Sequence, residues 1–227
     1  MNVGNLINLN FERADRNVVE KFKNIPVANI ADCMNRTSAL SQEIIPVNDE
    51  HILGTAFTVK VAQGDNLMFH KAMDLAKEGD VIIIDSMGTK NRAILGEIMA
   101  TYCKTRGIAG IVVDGPIRDI EDIAKMDMPV YAVGSTPNGP YKNGPGEIGT
   151  TISVGGQVVN PGDIIVGDKD GIIVIKKEDA EELLEKSLAT LNKEKKIFEV
   201  MEKEGTYIRP WVDDVLESTG VTIIEEE

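Results

Sequence analysis

The stretch "GIVVDGPIRDI", residues 110–120, shows the strand-and-loop pattern on which our prediction of the fold depends. Its apolar, β-branched run ends at an Asp-Gly-Pro turn, residues 114–116, which cannot continue a buried strand. Arg118 and Asp119 follow directly. In α/β architectures, ligands collect where loops leave the carboxyl ends of strands. We therefore predict a strand that ends in a functional loop carrying these two charged residues.

Apolar runs of the same kind recur between turn signals along the chain. The first four alternate with helical patterns over residues 66–76 and 92–105, where apolar residues recur at three- and four-residue spacing. Later runs follow one another through Gly-Gly and Pro-Gly turns, which are typical of antiparallel hairpins. The sequence thus predicts an α/β fold with mixed sheets and strands at 55–61, 80–85, 107–113, 128–133, 150–154, 157–159, 163–167 and 171–175.

The C-terminal part has a different, helical pattern. A long helix is predicted over residues 177–203, and Pro210 suits the first turn of a last short helix. Beyond it the chain ends in an acidic tail, residues 225–227. No linker divides the sequence, which predicts a single domain over residues 1–227. A long helix at a chain end often contacts a partner, so we expect a homo-oligomer; packing of this helix on its own sheet is the alternative.

Composition narrows the classes of function. With 227 residues and 42% hydrophobic content, the chain can bury a sizeable core. The net charge of −13, from 37 acidic and 24 basic residues, argues against nucleic-acid binding. Cys33 and Cys103 are too few for a disulfide framework, and neither a targeting segment nor an apolar run long enough to span a bilayer is evident. We expect a cytoplasmic protein without a membrane or nucleic-acid partner.

Two histidines and the absence of familiar motifs limit the chemistry. His51 and His70, with two cysteines, cannot build the usual zinc sites. The sequence contains neither a GxSxG elbow nor a P-loop of the type GxxxxGKS or GxxxxGKT. Any catalytic metal is therefore expected to be a hard ion held by oxygen, Mg²⁺ or Mn²⁺.

Arg118 and Asp119 suit such an ion. An aspartate can take one position on Mg²⁺ and leave others open, while the neighbouring arginine supplies a cation for a developing enolate oxygen. The alternative is structural: Asp119 caps the following helix and Arg118 makes a surface ion pair.

A second signal lies in "AILGEIMATYC", residues 93–103. Gly96 is unexpected here because glycine costs roughly 1 kcal/mol relative to alanine inside a helix. Amides near a helix amino terminus bind carboxylates, so residues 96–99 could hold a small acid while Glu97 faces waters on the metal. Alternatively, Gly96 only lets the helix pack closely on a strand. Asp32 is similarly open, as an acid near the metal or as a helix-surface residue.

Several motifs together resemble one family: "GDNLMFHKAMDLAKEGDVIIID", "AILGEIMA", "GIVVDGPIRD" and "NGPGEIGTTISVGGQVVNPGDIIVGDKDGIIVI". The chain is similar to the class II 4-hydroxy-4-methyl-2-oxoglutarate / 4-carboxy-4-hydroxy-2-oxoadipate aldolases and the RraA-type regulators of ribonuclease E. The resemblance covers about residues 25–200, with residues 201–227 as a helical extension. It implies a compact α/β domain with a swivelling-domain-like β/β/α core, assembled as trimers or hexamers with sites at subunit boundaries.

The resemblance also implies roles for particular residues. Arg118 corresponds to the arginine that contacts substrate and Asp119 to the direct metal ligand. The backbone of Gly96, Glu97, Ile98 and Met99 corresponds to the stretch that holds pyruvate. Acids that bind the metal through water are expected at Glu97, Asp32 and, from a neighbouring subunit, Glu194.

By resemblance, the reaction is retro-aldol cleavage of a 4-hydroxy-2-oxo acid to pyruvate and a second oxo acid, with oxaloacetate decarboxylation as a related activity. Both pass through the pyruvate enolate, which a divalent ion and Arg118 can stabilise. A metal-bound water buffered by Glu97 and Asp32 is the expected general base. Schiff-base chemistry on Lys60 is the competing route.

The regulator branch supplies the alternative function, a protein that binds and inhibits an RNA-processing ribonuclease. That branch tends to lose the acid after the arginine, whereas Asp119 is present here, which favours an enzyme. The turn after Asp85, "SMGTKNRA", departs from the glycine-rich turn of many family aldolases. The identity of the second oxo acid is therefore open.

Overall fold

The computed structural model describes residues 4–224 and places a mixed sheet at the centre of the protein. The strands are β1 (Asn5–Ile7), β2 (Ile45–Pro46), β3 (Ile52–Val61), β4 (Asp80–Asp85), β5 (Gly110–Val113), β6 (Val130–Ala132), β7 (Gly146–Ile148), β8 (Ile152–Val154), β9 (Gln157–Val159), β10 (Ile164–Asp168) and β11 (Gly171–Ile175). The helices are α1 (Arg16–Glu20), α2 (Val27–Cys33), α3 (Leu67–Leu75), α4 (Glu97–Thr105), α5 (Ile120–Ile123), α6 (Ala180–Glu204) and α7 (Pro210–Ser218).

The sheet has the order β1-β7-β3-β4-β5-β6-β2, and β10 pairs with both β3 and β11. Strands β3 to β6 are parallel neighbours joined by α3, α4 and α5. One edge of the long strand β3 pairs with β10 near its start and with β7 near its end. The amino termini of α3, α4 and α5 therefore follow the carboxyl ends of the parallel strands, where α/β proteins place their ligands.

Side chains of the parallel strands alternate between two apolar clusters. One cluster lies on the face covered by α3 and α4 and includes Phe57, Val59, Ile82, Ile84, Ala72 and Ala100. The other lies on the opposite face, against the β8–β9 hairpin, and includes Ala56, Val81, Ile83, Val112, Ile152 and Val154. Because β4 is buried on both faces, its sequence is apolar without alternation.

A buried ion pair ties the N-terminal segment to the sheet. Arg13 donates to Asp80 through Nε at 2.7 Å and through Nη2 at 2.8 Å. The Asp80 side chain is 1% exposed and also accepts the Thr55 hydroxyl at 2.8 Å. The guanidinium lies over Phe11, with its carbon 4.8 Å from the ring centre. A bidentate pair of this kind fixes geometry as well as charge.

The chain divides into two compact units after Leu188. The second unit contains the C-terminal part of α6 and the helix α7, and within residues 189–224 no side chain is buried. Across the described part of the chain, no helix combines the length and apolar character needed to cross a membrane.

The predicted α/β class, mixed sheet and long C-terminal helix are confirmed. Strands β4, β9 and β11 have the predicted bounds. The helix predicted over 92–105 begins only at Glu97, and residues 177–179 form a 3₁₀ turn before α6. Pro210 occupies the first turn of α7 as expected. The predicted acidic tail, residues 225–227, lies outside the described residues.

Candidate active site

Gly96 lies immediately before α4, in extended conformation, and not inside the helix. The helix-interior cost that made this glycine unexpected therefore does not apply. Its small size matters for another reason: a Cβ here would overlap Asp119 Oδ2 and would lie 3.0 Å from Arg118 Cγ. Glycine thus lets the side chains of residues 118 and 119 lie against the start of α4.

Two backbone hydrogen bonds hold this close approach. The Ile94 N–H donates to the Pro116 carbonyl at 2.9 Å, and the Arg118 N–H donates to the Leu95 carbonyl at 3.0 Å. The segment that leads into α4 therefore runs beside the loop that follows β5. The two signals singled out in the sequence meet at one point of the fold.

Asp119 occupies the N-cap position of α5 but does not cap it, because its side chain makes no hydrogen bond to that helix. Instead, Oδ2 accepts the N–H of Glu97, the first residue of α4, at 3.1 Å. Its backbone is left-handed, with φ 56° and ψ 38°. That conformation is unfavourable for residues with a Cβ, by roughly 1–2 kcal/mol, and recurs at functional sites. The capping alternative is wrong for this side chain.

Arg118 lies beside that carboxylate without being tightly paired to it. Its Nε is 3.7 Å from Asp119 Oδ2, and the two side chains are 45% and 42% exposed. Exposed pairs at this distance contribute little to stability. Both charged groups are therefore accessible to a ligand.

Arg118, Asp119 and the start of α4 open into one cavity of about 260 Å³. Its lining residues are Asn66, His70, Ile94, Leu95, Gly96, Ile98, Met99, Arg118, Asp119, Gly139, Pro140 and Lys142. The cavity joins the amide-rich end of a helix with two cationic side chains and one carboxylate. This arrangement suits a small organic anion.

Three polar lining residues were not predicted: Asn66, His70 and Lys142. Asn66 and His70 belong to the helical pattern that follows β3, so the carboxyl-end rule that identified Arg118 applied to them as well. Lys142 gave no such signal because it lies in an irregular segment between β6 and β7.

Asn66 and His70 are buried to different extents at the cavity. Asn66 is 1% exposed, and its Nδ2 donates to the Ile94 carbonyl at 2.9 Å, while its Oδ1 is buried and accepts no hydrogen bond within the described chain. Partial burial and the nearby Lys142 charge lower the pKa of His70, and Asp74 opposes this shift. The His70 imidazole is therefore mainly neutral at pH 7.

The remaining predicted residues lie elsewhere. The Glu97 side chain is exposed and is not among those that line the cavity. Asp32 pairs with Arg36 Nε at 2.8 Å on the surface of α2. Glu194 belongs to the second unit, where it is half-buried. The water-mediated metal roles of these three acids rest on the resemblance alone.

The competing Schiff-base route through Lys60 finds no support at the cavity. Lys60 pairs in register with Asp85 and Glu147 at the end of β3 and does not line the cavity.

Between residues 4 and 224, no group of three or more His, Cys, Asp or Glu side chains is arranged to hold a metal. A metal bound here would depend on Asp119 as its protein ligand.

The chain is thus an α/β protein with a cavity at the carboxyl edge of a mixed sheet, and the residues that line this cavity suit a small anion. The chain belongs to the RraA-like family, whose Aldolase/RraA model matches residues 27–174. A protein of Halalkalibacterium halodurans, provisionally named 4-hydroxy-4-methyl-2-oxoglutarate aldolase, is 43% identical over 176 residues, which are 77% of this chain and 84% of that protein.

Solved structures agree with the fold. RraAS2 of Streptomyces coelicolor, described as an unusual member of the RNase ES inhibitor RraA family, superposes with a TM-score of 0.74 over 82% of this chain and 97% of its own, at 24% identity. The RNA-processing inhibitor RraA from Thermus gives a TM-score of 0.62 over 66% of this chain and 92% of its own, at 26% identity.

Proposed function

We propose that the chain is a metal-dependent aldolase that cleaves a 4-hydroxy-2-oxo acid, similar to 4-hydroxy-4-methyl-2-oxoglutarate, to pyruvate and a second oxo acid. Oxaloacetate decarboxylation belongs to the same proposal because both reactions pass through the pyruvate enolate. The observation that carries it is the shared cavity of Arg118, Asp119 and the amino terminus of α4. The provisional names of several relatives support an aldolase at family level.

The start of α4 supplies donors for the carboxylate of the substrate. The Glu97 N–H is already bound to Asp119, but the Ile98 N–H donates to no other group of the described chain. Amides in the first turn of a helix carry partial positive charge and bind anions. Lys142 lines the same cavity and adds a full positive charge.

Asp119 fits the role of a metal ligand. One of its oxygens accepts the Glu97 N–H, and the other, Oδ1, accepts no hydrogen bond within residues 4–224. Mg²⁺ is often held by only one or two carboxylates together with water and substrate oxygens, so a single aspartate suffices. When bound, a divalent ion acts as a Lewis acid toward a substrate carbonyl.

In the proposed reaction, Arg118 stabilises the developing negative charge and His70 accepts a proton. The Arg118 guanidinium faces the cavity as a fixed cation and holds the oxygen on which negative charge develops as the carbon–carbon bond breaks. His70 is the neutral base among the lining side chains, whereas Glu97 and Asp32 do not line the cavity. In this proposal the His70 ring nitrogen therefore replaces the metal-bound water expected from the sequence and accepts the proton of the substrate hydroxyl.

The test measures pyruvate released from oxaloacetate and from 4-hydroxy-4-methyl-2-oxoglutarate, with Mg²⁺ or Mn²⁺ and after EDTA treatment. Asp119→Asn should lower kcat/KM by about 10²-fold or more, as loss of one preorganised electrostatic contact does. The matched control is Asp122→Asn, on the same helix but outside the cavity. Equal rates with and without metal would overturn the proposed metal dependence.

The second candidate is a protein that inhibits an RNA-processing ribonuclease. Its support is the likeness to the Thermus inhibitor and the acidic surface implied by a net charge of −13. Tight ribonuclease binding that persists in Asp119→Ala, with no pyruvate released by the wild type, would favour this candidate.

We also propose a homo-oligomer, a trimer or hexamer. The second unit exposes many large apolar side chains, an unusual number for a monomer, and these include Phe198, Tyr207, Ile208, Trp211, Val215 and Ile223. Light scattering coupled to gel filtration should give a multiple of the 24.7 kDa chain mass. Trp211→Asp should reduce that mass, whereas Thr206→Asp should not.

A further inference from the structure

The cavity wall that carries Lys142 is an irregular segment, here named the 139–145 loop. It runs beside residues 64–66, the turn between β3 and α3. The Tyr141 N–H donates to the Gly64 carbonyl at 2.8 Å, and the Asn66 N–H donates to the Tyr141 carbonyl at 3.0 Å. Two polar members of the cavity, Asn66 and Lys142, are thus brought together by segments far apart in sequence.

Two charged side chains fasten this loop on either side of Lys142. Before it, Arg92 donates to the Gly139 carbonyl at 2.9 Å and to the Tyr141 hydroxyl at 2.7 Å, and its guanidinium carbon lies 3.9 Å from the Tyr141 ring centre. After it, Asp65 Oδ2 accepts the Asn143 N–H at 2.6 Å and the Gly144 N–H at 3.0 Å.

Asp65 also binds the start of α3, which forms another wall of the cavity. Its Oδ1 accepts the N–H of Leu67, the first residue of α3, at 2.8 Å. The side chain is 3% exposed, and no Lys or Arg of the described chain forms an ion pair with it. A buried carboxylate that is compensated only by backbone N–H groups fixes those groups strongly, because hydrogen bonds to ionised acceptors are about twice as strong as neutral ones.

We propose that Asp65 is the positioning residue of the site: its carboxylate bridges α3 and the 139–145 loop and thereby holds Asn66 and Lys142 at their places in the cavity wall. Asp65 does not line the cavity, so it acts through these two residues. The expected effect of Asp65 on catalysis rests on the proposed function. Its expected effect on the positions of Asn66 and Lys142 rests on geometry alone.

Asparagine is the informative replacement because it preserves the shape of the side chain. Its single carbonyl oxygen can accept from one side only, and its NH₂ group would face a backbone N–H in place of the second oxygen. Asp65→Asn should therefore detach either the 139–145 loop or the start of α3. Asp80→Asn is the matched control, since Asp80 is equally buried and holds Arg13 away from the cavity.

The first measurement does not depend on catalysis. Proteolysis requires local opening of the backbone, so cleavage by trypsin after Lys142 should report how readily the 139–145 loop leaves its place. Asp65→Asn should accelerate this cleavage about 10- to 100-fold, in line with the loss of a charge-assisted hydrogen bond. Cleavage after Lys196, which is exposed in the second unit and followed by Ile197, is the internal reference and should keep its rate. Asp80→Asn should lower the melting temperature without accelerating cleavage after Lys142.

The second measurement is a double-mutant cycle on pyruvate release from oxaloacetate. Asp65→Asn should raise KM about 10-fold or more with a smaller change in kcat, and should add less than about twofold in a Lys142→Ala background, because coupled residues are not additive. Full additivity, or unchanged cleavage after Lys142 in Asp65→Asn, would overturn the inference. If the wild type releases no pyruvate, the proposed function fails, and trypsin cleavage together with calorimetric binding of pyruvate still decides the role of Asp65.

Discussion

The Asp119 carboxylate accepts the Glu97 amide N–H at 3.1 Å and so joins the loop after β5 to the first turn of α4. The contact explains why two opposite charges follow an apolar strand. Asp119 is turned away from its own helix, toward a helix amino terminus that stabilises negative charge. Arg118 lines the cavity beside this contact, and the charges of the cavity suit a small anion.

Replacing Gly96 by alanine should damage the site without unfolding the protein. The new methyl group would overlap Asp119 Oδ2 and press on the Arg118 side chain. Displacements of about 1 Å in a catalytic group can lower kcat/KM about 10²-fold, and we expect a loss of that order. Thr101→Ala, on the exposed side of the same helix, is the control. Wild-type kinetics in Gly96→Ala would show that the close approach is not needed.

Arg118→Lys should separate charge from geometry. Lysine keeps the positive charge but lacks the planar, forked donors of a guanidinium. We expect kcat/KM for oxaloacetate to fall about 10- to 100-fold, with most of the loss in kcat if the residue acts on developing charge. Arg36→Lys, in the turn that follows α2, should leave both constants unchanged. A loss confined to KM would instead assign Arg118 to ground-state binding.

The pKa of His70 should respond to Lys142. In the folded protein this pKa is lowered below 6.5, first by burial and then by the Lys142 charge, so Lys142→Ala should raise it. NMR titration of the His70 imidazole in both proteins measures this directly. Because the folded chain binds this proton more weakly than the unfolded chain, the His70 contribution to stability decreases as pH falls below about 6.5. An unchanged His70 titration in Lys142→Ala would place the two side chains apart.

Arg13→Ala should destabilise the fold and leave the site intact. The substitution leaves the buried Asp80 carboxylate without its cation, a change that costs about 3–5 kcal/mol in comparable buried pairs. The partial exposure of Arg13 reduces this, and we expect about 2–3 kcal/mol by urea unfolding. Arg16→Ala removes an exposed pair with Glu78 and should change stability by less than about 0.5 kcal/mol. Equal effects of the two substitutions would contradict the assignment.

The parts of the fold that the sequence predicts are those with strong local patterns. Strand β4 was predicted with its observed bounds because it is apolar on both faces and flanked by turns. The strands β1 and β7 were missed because each has only three residues; β1 forms by pairing with β7, and β7 also pairs with β3. Periodicity in one short segment carries no information about such distant partners.

The residues of the candidate site also differ in whether a local sequence pattern identifies them. Arg118 and Asp119 were identifiable because they follow the end of a strand, and residues 96–99 because a glycine interrupts a helical pattern. Lys142 was not, because it reaches the cavity only when the 139–145 loop lies along residues 64–66. Its position depends on the distant side chain of Asp65, which no local pattern reveals.

The close fit at Gly96 has an evolutionary consequence. Any residue larger than glycine at 96 displaces the Asp119 carboxylate from its present position, so the two positions constrain each other. A descendant that lost the acid at 119 would be released from the requirement at 96, and drift there would follow. Paired substitution at these two sites should thus mark lineages that have lost this contact while keeping the scaffold.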